Sequence, residues 1–102
     1  MNDRFLYDQV KAVLLHEWDP LGISDLIEAD DEYDAYVQPI CDMLYAGKEI
    51  EDIFHYLHWV ATDYMCLNVN SDLERRVAEK LFYLPKLLTI IHVDTWVYIK
   101  WL

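Results

Sequence analysis

Asp52, His55 and His58 follow one another at intervals of three, a spacing that brings a carboxylate and two imidazoles together along a helix. Asp52-x-x-His55 imitates half of the carboxylate and Glu-x-x-His set that holds two irons in helical bundles. Such a site needs a second matching motif and further carboxylates on other helices, and the sequence offers neither. Surface or interface histidines are therefore the reading, and no metal or cofactor is assigned. His16-Glu17 lacks the second His of a zinc-protease motif, and Gly22 and Gly47, the two glycines of the chain, cannot build a phosphate-cradling loop. Ser24 and Ser71 have no histidine near them in sequence, so no nucleophilic triad is visible. Carboxylates are plentiful, but acid–base catalysis needs two in dissimilar, partly buried settings. Asp30, Asp31, Glu32 and Asp34 are clustered and share solvent. The expectation is a protein without catalytic residues, not an enzyme.

Those clustered acids carry the strongest signal in the chain. Residues 1–52 contain 14 Asp/Glu against Arg4, Lys11 and Lys48, whereas residues 53–102 contain five acids against five Lys/Arg. The first half thus holds the whole formal charge of −11. Between Trp18 and Val37 lie Asp19, Asp25, Glu28, Asp30, Asp31, Glu32 and Asp34 with no basic residue. Such a field attracts cationic surfaces and repels nucleic acid and anionic membrane. Acids in a first helical turn gain from the helix dipole, which accounts for one or two of Asp30, Asp31 and Glu32. Asp30 and Asp34, four apart, repel each other on a helix. The cluster therefore reads as either a solvated face or a docking surface for a basic partner. Tyr33 and Tyr36 suit such a surface, since each ring adds apolar area and each hydroxyl a hydrogen bond. Tyr36 also fits a buried stripe, and Tyr33 is open between the two roles. The candidate binding residues are Asp25, Glu28, Asp30, Asp31, Glu32, Tyr33 and Asp34.

A chain of 102 residues that is 55% hydrophobic has enough apolar material for one core and too little length for two. With two Gly and three Pro, a many-turned sandwich is disfavoured and a few long helices are expected. Cys41 and Cys66 fit no metal or redox spacing and read as two reduced, buried thiols. Met1-Asn2-Asp3-Arg4 shows no basic stretch leading into an apolar one. The apolar run 87–102 is broken by His92, Asp94 and Lys100 and is too short and polar to span a bilayer. A cytoplasmic protein is expected.

The elements that must position these residues follow from apolar spacing. Residues 3–17 place Leu6, Val10, Val13 and Leu14 on one helical face, and Asp19-Pro20-Leu21-Gly22 reads as a β-turn that ends the helix. Residues 23–29 are a connector with at most one helical turn, where Asp25 and Glu28 resemble a capping pair. A second helix spans 31–46, kinked at Pro39 and stopped by Gly47. The third, 49–65, buries Ile50, Ile53, Phe54, Leu57, Val60, Ala61 and Tyr64. The fourth, 71–84, opens on Ser71-Asp72-Leu73-Glu74 as a capping box and ends at Pro85. The tail 86–102 is rich in β-branched and aromatic residues, and a fifth helix and a short β-hairpin are both open. The fold class is all-α: one domain over 1–102, a compact bundle of about four helices.

Residues 13–47 resemble a family of small bacterial helical proteins. The match rests on Trp18-Asp19-Pro20-Leu21-Gly22-Ile23, Glu28-Ala29, Asp31-Glu32-Tyr33-Asp34-x-Tyr36, and the helix from Ile40 through Leu44 to Gly47. Ile27 stands where that family commonly has Pro, and the likeness fades after Leu84. Some members resemble immunity proteins of contact-dependent growth-inhibition systems. The resemblance implies a helical protein that binds and neutralises a basic toxin, with a nuclease domain as the expected kind, whose surface is cationic because it holds phosphate backbones. The alternative, from another class, is a cytosolic interaction or regulatory module that associates with itself or another protein through its apolar C-terminal tail.

Overall fold

Apolar spacing of three and four becomes helix wherever a cap or turn permits in the computed structural model, which describes residues 3–27 and 30–101, with side chains over 4–27 and 30–86. Among the described residues there are four α-helices and no strand. Helix α1 (Asp3–Val13) runs into a π-helical turn, Leu14–Trp18. Helix α2 is Asp34–Tyr45 and passes through Pro39 without a break. Helix α3 (Ile50–Trp59) also ends in a π-helical turn, Val60–Tyr64. Helix α4 is Ser71–Trp101. No helix among the described residues is long and apolar enough to cross a membrane.

Local chemistry explains most ends. The Asp52 carboxylate accepts the Glu49 N–H at 2.9 Å and starts α3. Gly47, at φ +73°, ends α2: its N–H reaches the Leu44 carbonyl while the Lys48 N–H reaches that of Met43, the two-bond Schellman closure that favours glycine. α4 starts differently from expectation. Asn70, not Ser71, is the cap, its side chain accepting the Leu73 N–H at 3.1 Å. Glu74 is thereby released from capping and turns into the core.

Three further expectations are corrected. α2 begins at Asp34 rather than 31, because residues 30–33 form turns in which the Asp34 N–H bonds the Asp31 carbonyl. α4 does not stop at Pro85 but continues to Trp101, so the backbone of 86–101 is helical and the hairpin is not formed. A proline inside a helix removes one hydrogen bond and crowds the carbonyl four residues earlier, a local cost that does not by itself end a helix. Tyr64 is not on the buried face. In the π-turn the Met65 N–H bonds the Val60 carbonyl five residues back, which advances the phase and swings Tyr64 out. The Thr62 hydroxyl takes up the His58 carbonyl at 2.7 Å.

One apolar cluster joins the elements: Val10, Val13, Leu14 and Trp18, then Val37 and Ile40, then Ile53, Leu57, Val60 and Ala61, then Val77, Leu81 and Leu84. The short connection 65–70 brings the first turn of α4 against α3, where Glu74 meets His58 and Arg75 meets Glu51. Cys41 is buried but Cys66 is exposed, so the expectation of two buried thiols holds for one.

Candidate protein-binding face

The acidic segment is anchored by a polar knot. Asp19 closes the π-turn, its N–H on the Leu14 carbonyl at 2.9 Å, in the left-handed conformation at φ 35°. Pro20 behind it disfavours right-handed geometry. The Asp19 carboxylate accepts the N–H groups of Ile23 at 2.9 Å and Ser24 at 3.2 Å. It also accepts the Tyr33 hydroxyl at 2.7 Å, and that oxygen in turn accepts the Leu21 N–H at 3.0 Å. Burial pushes the Asp19 carboxyl up, but the donors from Ile23, Tyr33 and Ser24 outweigh it and hold it below the usual carboxylate range. Burial, then the bond to Asp19, raises the Tyr33 phenol, so it remains a donor. Its ring packs on Trp18 with centroids 5.5 Å apart. Tyr33 is only 2% exposed. The expectation that it contacts a partner is therefore corrected: this tyrosine holds the loop 19–24 to the core.

The remaining candidates divide. Asp34 is half-buried, with the Lys11 ammonium 3.2 Å from one oxygen and 3.3 Å from the other. The hydrogen bond that the Lys11 ammonium donates to Asp34 raises the Lys11 pKa, against burial. Asp30 lies 3.8 Å from the same lysine. One cation from α1 thus answers two of the acids. Asp25, Asp31 and Glu32 are exposed and make no ion pair among the described residues. Glu28 lies outside the described residues. Asp25 and Asp30 border an open groove of about 390 Å³ with Leu15, His16, Ser24, Leu26 and Ile27, in which Ile27 is 90% exposed. The groove therefore sets the unpaired Asp25 carboxylate beside bare apolar side chains, the composition of an interface.

A second feature escaped the periodicity argument. Rings run from Trp18 to Tyr36 (6.1 Å), Tyr36 to Tyr64 (6.4 Å), Tyr64 to Trp59 (6.4 Å) and Trp59 to Tyr56 (6.5 Å). Trp59 is 51% and Tyr64 67% exposed. The sequence signal was the density of aromatics over 54–64; Trp59 ends α3 and Tyr64 lies in the π-turn that follows it.

The histidines separate. His58 Nδ1 is 2.8 Å from a Glu74 oxygen, and Glu74 is 1% exposed. His55 sits 3.8 Å from Glu51, and Asp52 is used as a cap. Among the described residues no group of three or more His, Cys, Asp or Glu could hold a metal ion. Glu74 was expected at a helix cap; what sequence could not indicate is that His58, sixteen residues earlier, draws it inwards. No protein-family model, no curated protein and no solved structure matches the chain.

Proposed function

We propose that this protein is a binding module that captures a basic protein through the face carrying Asp25, Asp31 and Glu32, with Glu28 beside them in sequence. The observation that carries the reading is that these exposed carboxylates have no counter-ion among the described residues, whereas Asp19, Asp34 and Asp30 are engaged by the chain itself. Asp19 and Tyr33 hold the loop 19–24, and Lys11 holds Asp30 and Asp34, so the free charges are displayed on a positioned segment. A pre-positioned anionic surface speeds encounter with a cationic one, towards about 10⁸–10⁹ M⁻¹s⁻¹ at low salt. In line with the resemblance of residues 13–47, the partner we propose is a toxin of nuclease type, neutralised in the cytoplasm. Speed is what such a role needs, because unbound toxin acts during any delay. The negative field argues against nucleic acid or anionic lipid as the partner.

The test is the association rate between this protein and the C-terminal domain of an exported protein encoded beside its gene. Asp25→Asn, Asp31→Asn and Glu32→Gln together should slow association about tenfold and flatten its salt dependence. An unchanged rate and salt slope would exclude this face. The second reading, self-association through residues 86–102, finds support in the helical course of α4 through them. It requires a dimer in sedimentation that Trp96→Glu abolishes.

A further inference from the structure

We infer that the exposed rings of Trp59 and Tyr64 form an anchor site for an arginine side chain of the basic partner, with Asp63 as the neighbouring carboxylate. The inference rests on the basic-partner reading and names the anchor within it. Trp59 and Tyr64 stand in contact at the end of α3, backed by Tyr36 and Tyr56. Asp63 adjoins Tyr64 and is exposed, its carboxylate accepting the Thr62 hydroxyl at 3.1 Å. Asp63 has no ion-pair partner among the described residues.

A face of π-rings beside a carboxylate suits a cation with a flat, weakly hydrated surface. Guanidinium meets that description and ammonium does not, since it stacks on a ring while its edge donates paired hydrogen bonds to a carboxylate. The molecule already builds this arrangement once on the same helix: the Arg75 guanidinium lies 4.5 Å from the Phe54 ring centroid and is paired with Glu51. At the Trp59 end the rings and an acid recur without an internal arginine, and Trp59 and Tyr64 stay 51% and 67% exposed. Large exposed aromatics able to receive arginine are what binding hot spots are made from.

The probes are an alternating Gly-Arg peptide and a Gly-Lys peptide of equal charge, titrated into the full-length isotope-labelled protein at physiological salt and followed by NMR. The Arg peptide should bind about tenfold more tightly and shift the Trp59 indole and Tyr64 signals. Trp59→Ala with Tyr64→Ala should erase the preference and leave weak, salt-sensitive binding of both peptides. Because both side chains are largely exposed, the variants keep the fold, which circular dichroism verifies, and Tyr64→Ala alone should remove part of the preference. Asp25→Asn with Asp31→Asn should weaken both peptides alike. Equal affinities and silent rings, with both peptides still sensitive to Asp25 and Asp31, would overturn the anchor and leave the acidic face standing. Binding of neither peptide would overturn both readings. Self-association that Trp59→Ala abolishes would overturn the anchor by making a second copy its occupant.

Discussion

Replacing Tyr33 by Phe removes one oxygen and leaves the buried ring in place against Trp18, so it isolates the polar knot. That oxygen donates to the Asp19 carboxylate at 2.7 Å and accepts the Leu21 N–H at 3.0 Å. A hydrogen bond to a charged group is worth about 1.5–3 kcal/mol, and an amide losing its acceptor in a partly buried site adds about 1 kcal/mol. Asp19 keeps the donors from Ile23 and Ser24, which favours the lower part of that range. The expected loss is about 2–3 kcal/mol, or about 10–20 °C in Tm for a domain of this length. The acid dependence follows from the folded-state pKa of Asp19, which lies below its unfolded value. A depressed carboxyl contributes stability that is fully present above the unfolded pKa, about 3.9, and lost as pH falls through the folded one. Tyr33 keeps its proton throughout. The gap between wild type and Tyr33→Phe should therefore be widest above about pH 4 and narrow below it. Urea unfolding followed by circular dichroism at a series of pH values measures both the size and the trend. A loss under about 0.5 kcal/mol at neutral pH, within the spread of ordinary surface substitutions, would refute the reasoning. So would a gap that persists unchanged in acid.

The His58–Glu74 contact should show the asymmetry of a buried polar group. His58→Ala removes the partner of the buried Glu74 side chain and should cost about 1–3 kcal/mol, while His58→Ala with Glu74→Leu should recover most of it, read by the same unfolding assay. At Gly47 an added Cβ meets no atom within 4 Å, so Gly47→Ala should cost only the left-handed backbone penalty of about 1–2 kcal/mol. Cys66 holds the same region at φ 58° with a side chain. Cys66→Gly should raise stability by about 0.5–1 kcal/mol, the strain relieved less the entropy glycine loses on folding, and calorimetry would measure it.

Much of the molecule is local and was legible as such. The three- and four-residue spacing of Val10, Val13 and Leu14, or of Ile53, Leu57 and Val60, needs only its own helix to make sense. The turn at Pro20 and the stop at Gly47 likewise need only the geometry of their own backbone. The asymmetry of charge is a property of composition and needs no fold. What the sequence could not reveal depends on partners far along the chain. Tyr33 in the string Asp-Glu-Tyr-Asp looks like an interface residue until Asp19, fourteen positions earlier, takes its hydroxyl. Asp34 looks like a free charge until Lys11, twenty-three positions earlier, reaches it. Tyr64 looks buried at a period of 3.6, and one π-turn rotates it into solvent. Tyr33 and Asp34 each have two satisfactory fates, and a polar partner far along the chain makes the choice; for Tyr64 the helical register of the packed segment makes it. That is a property of packed helices, and spacing along one helix does not contain it.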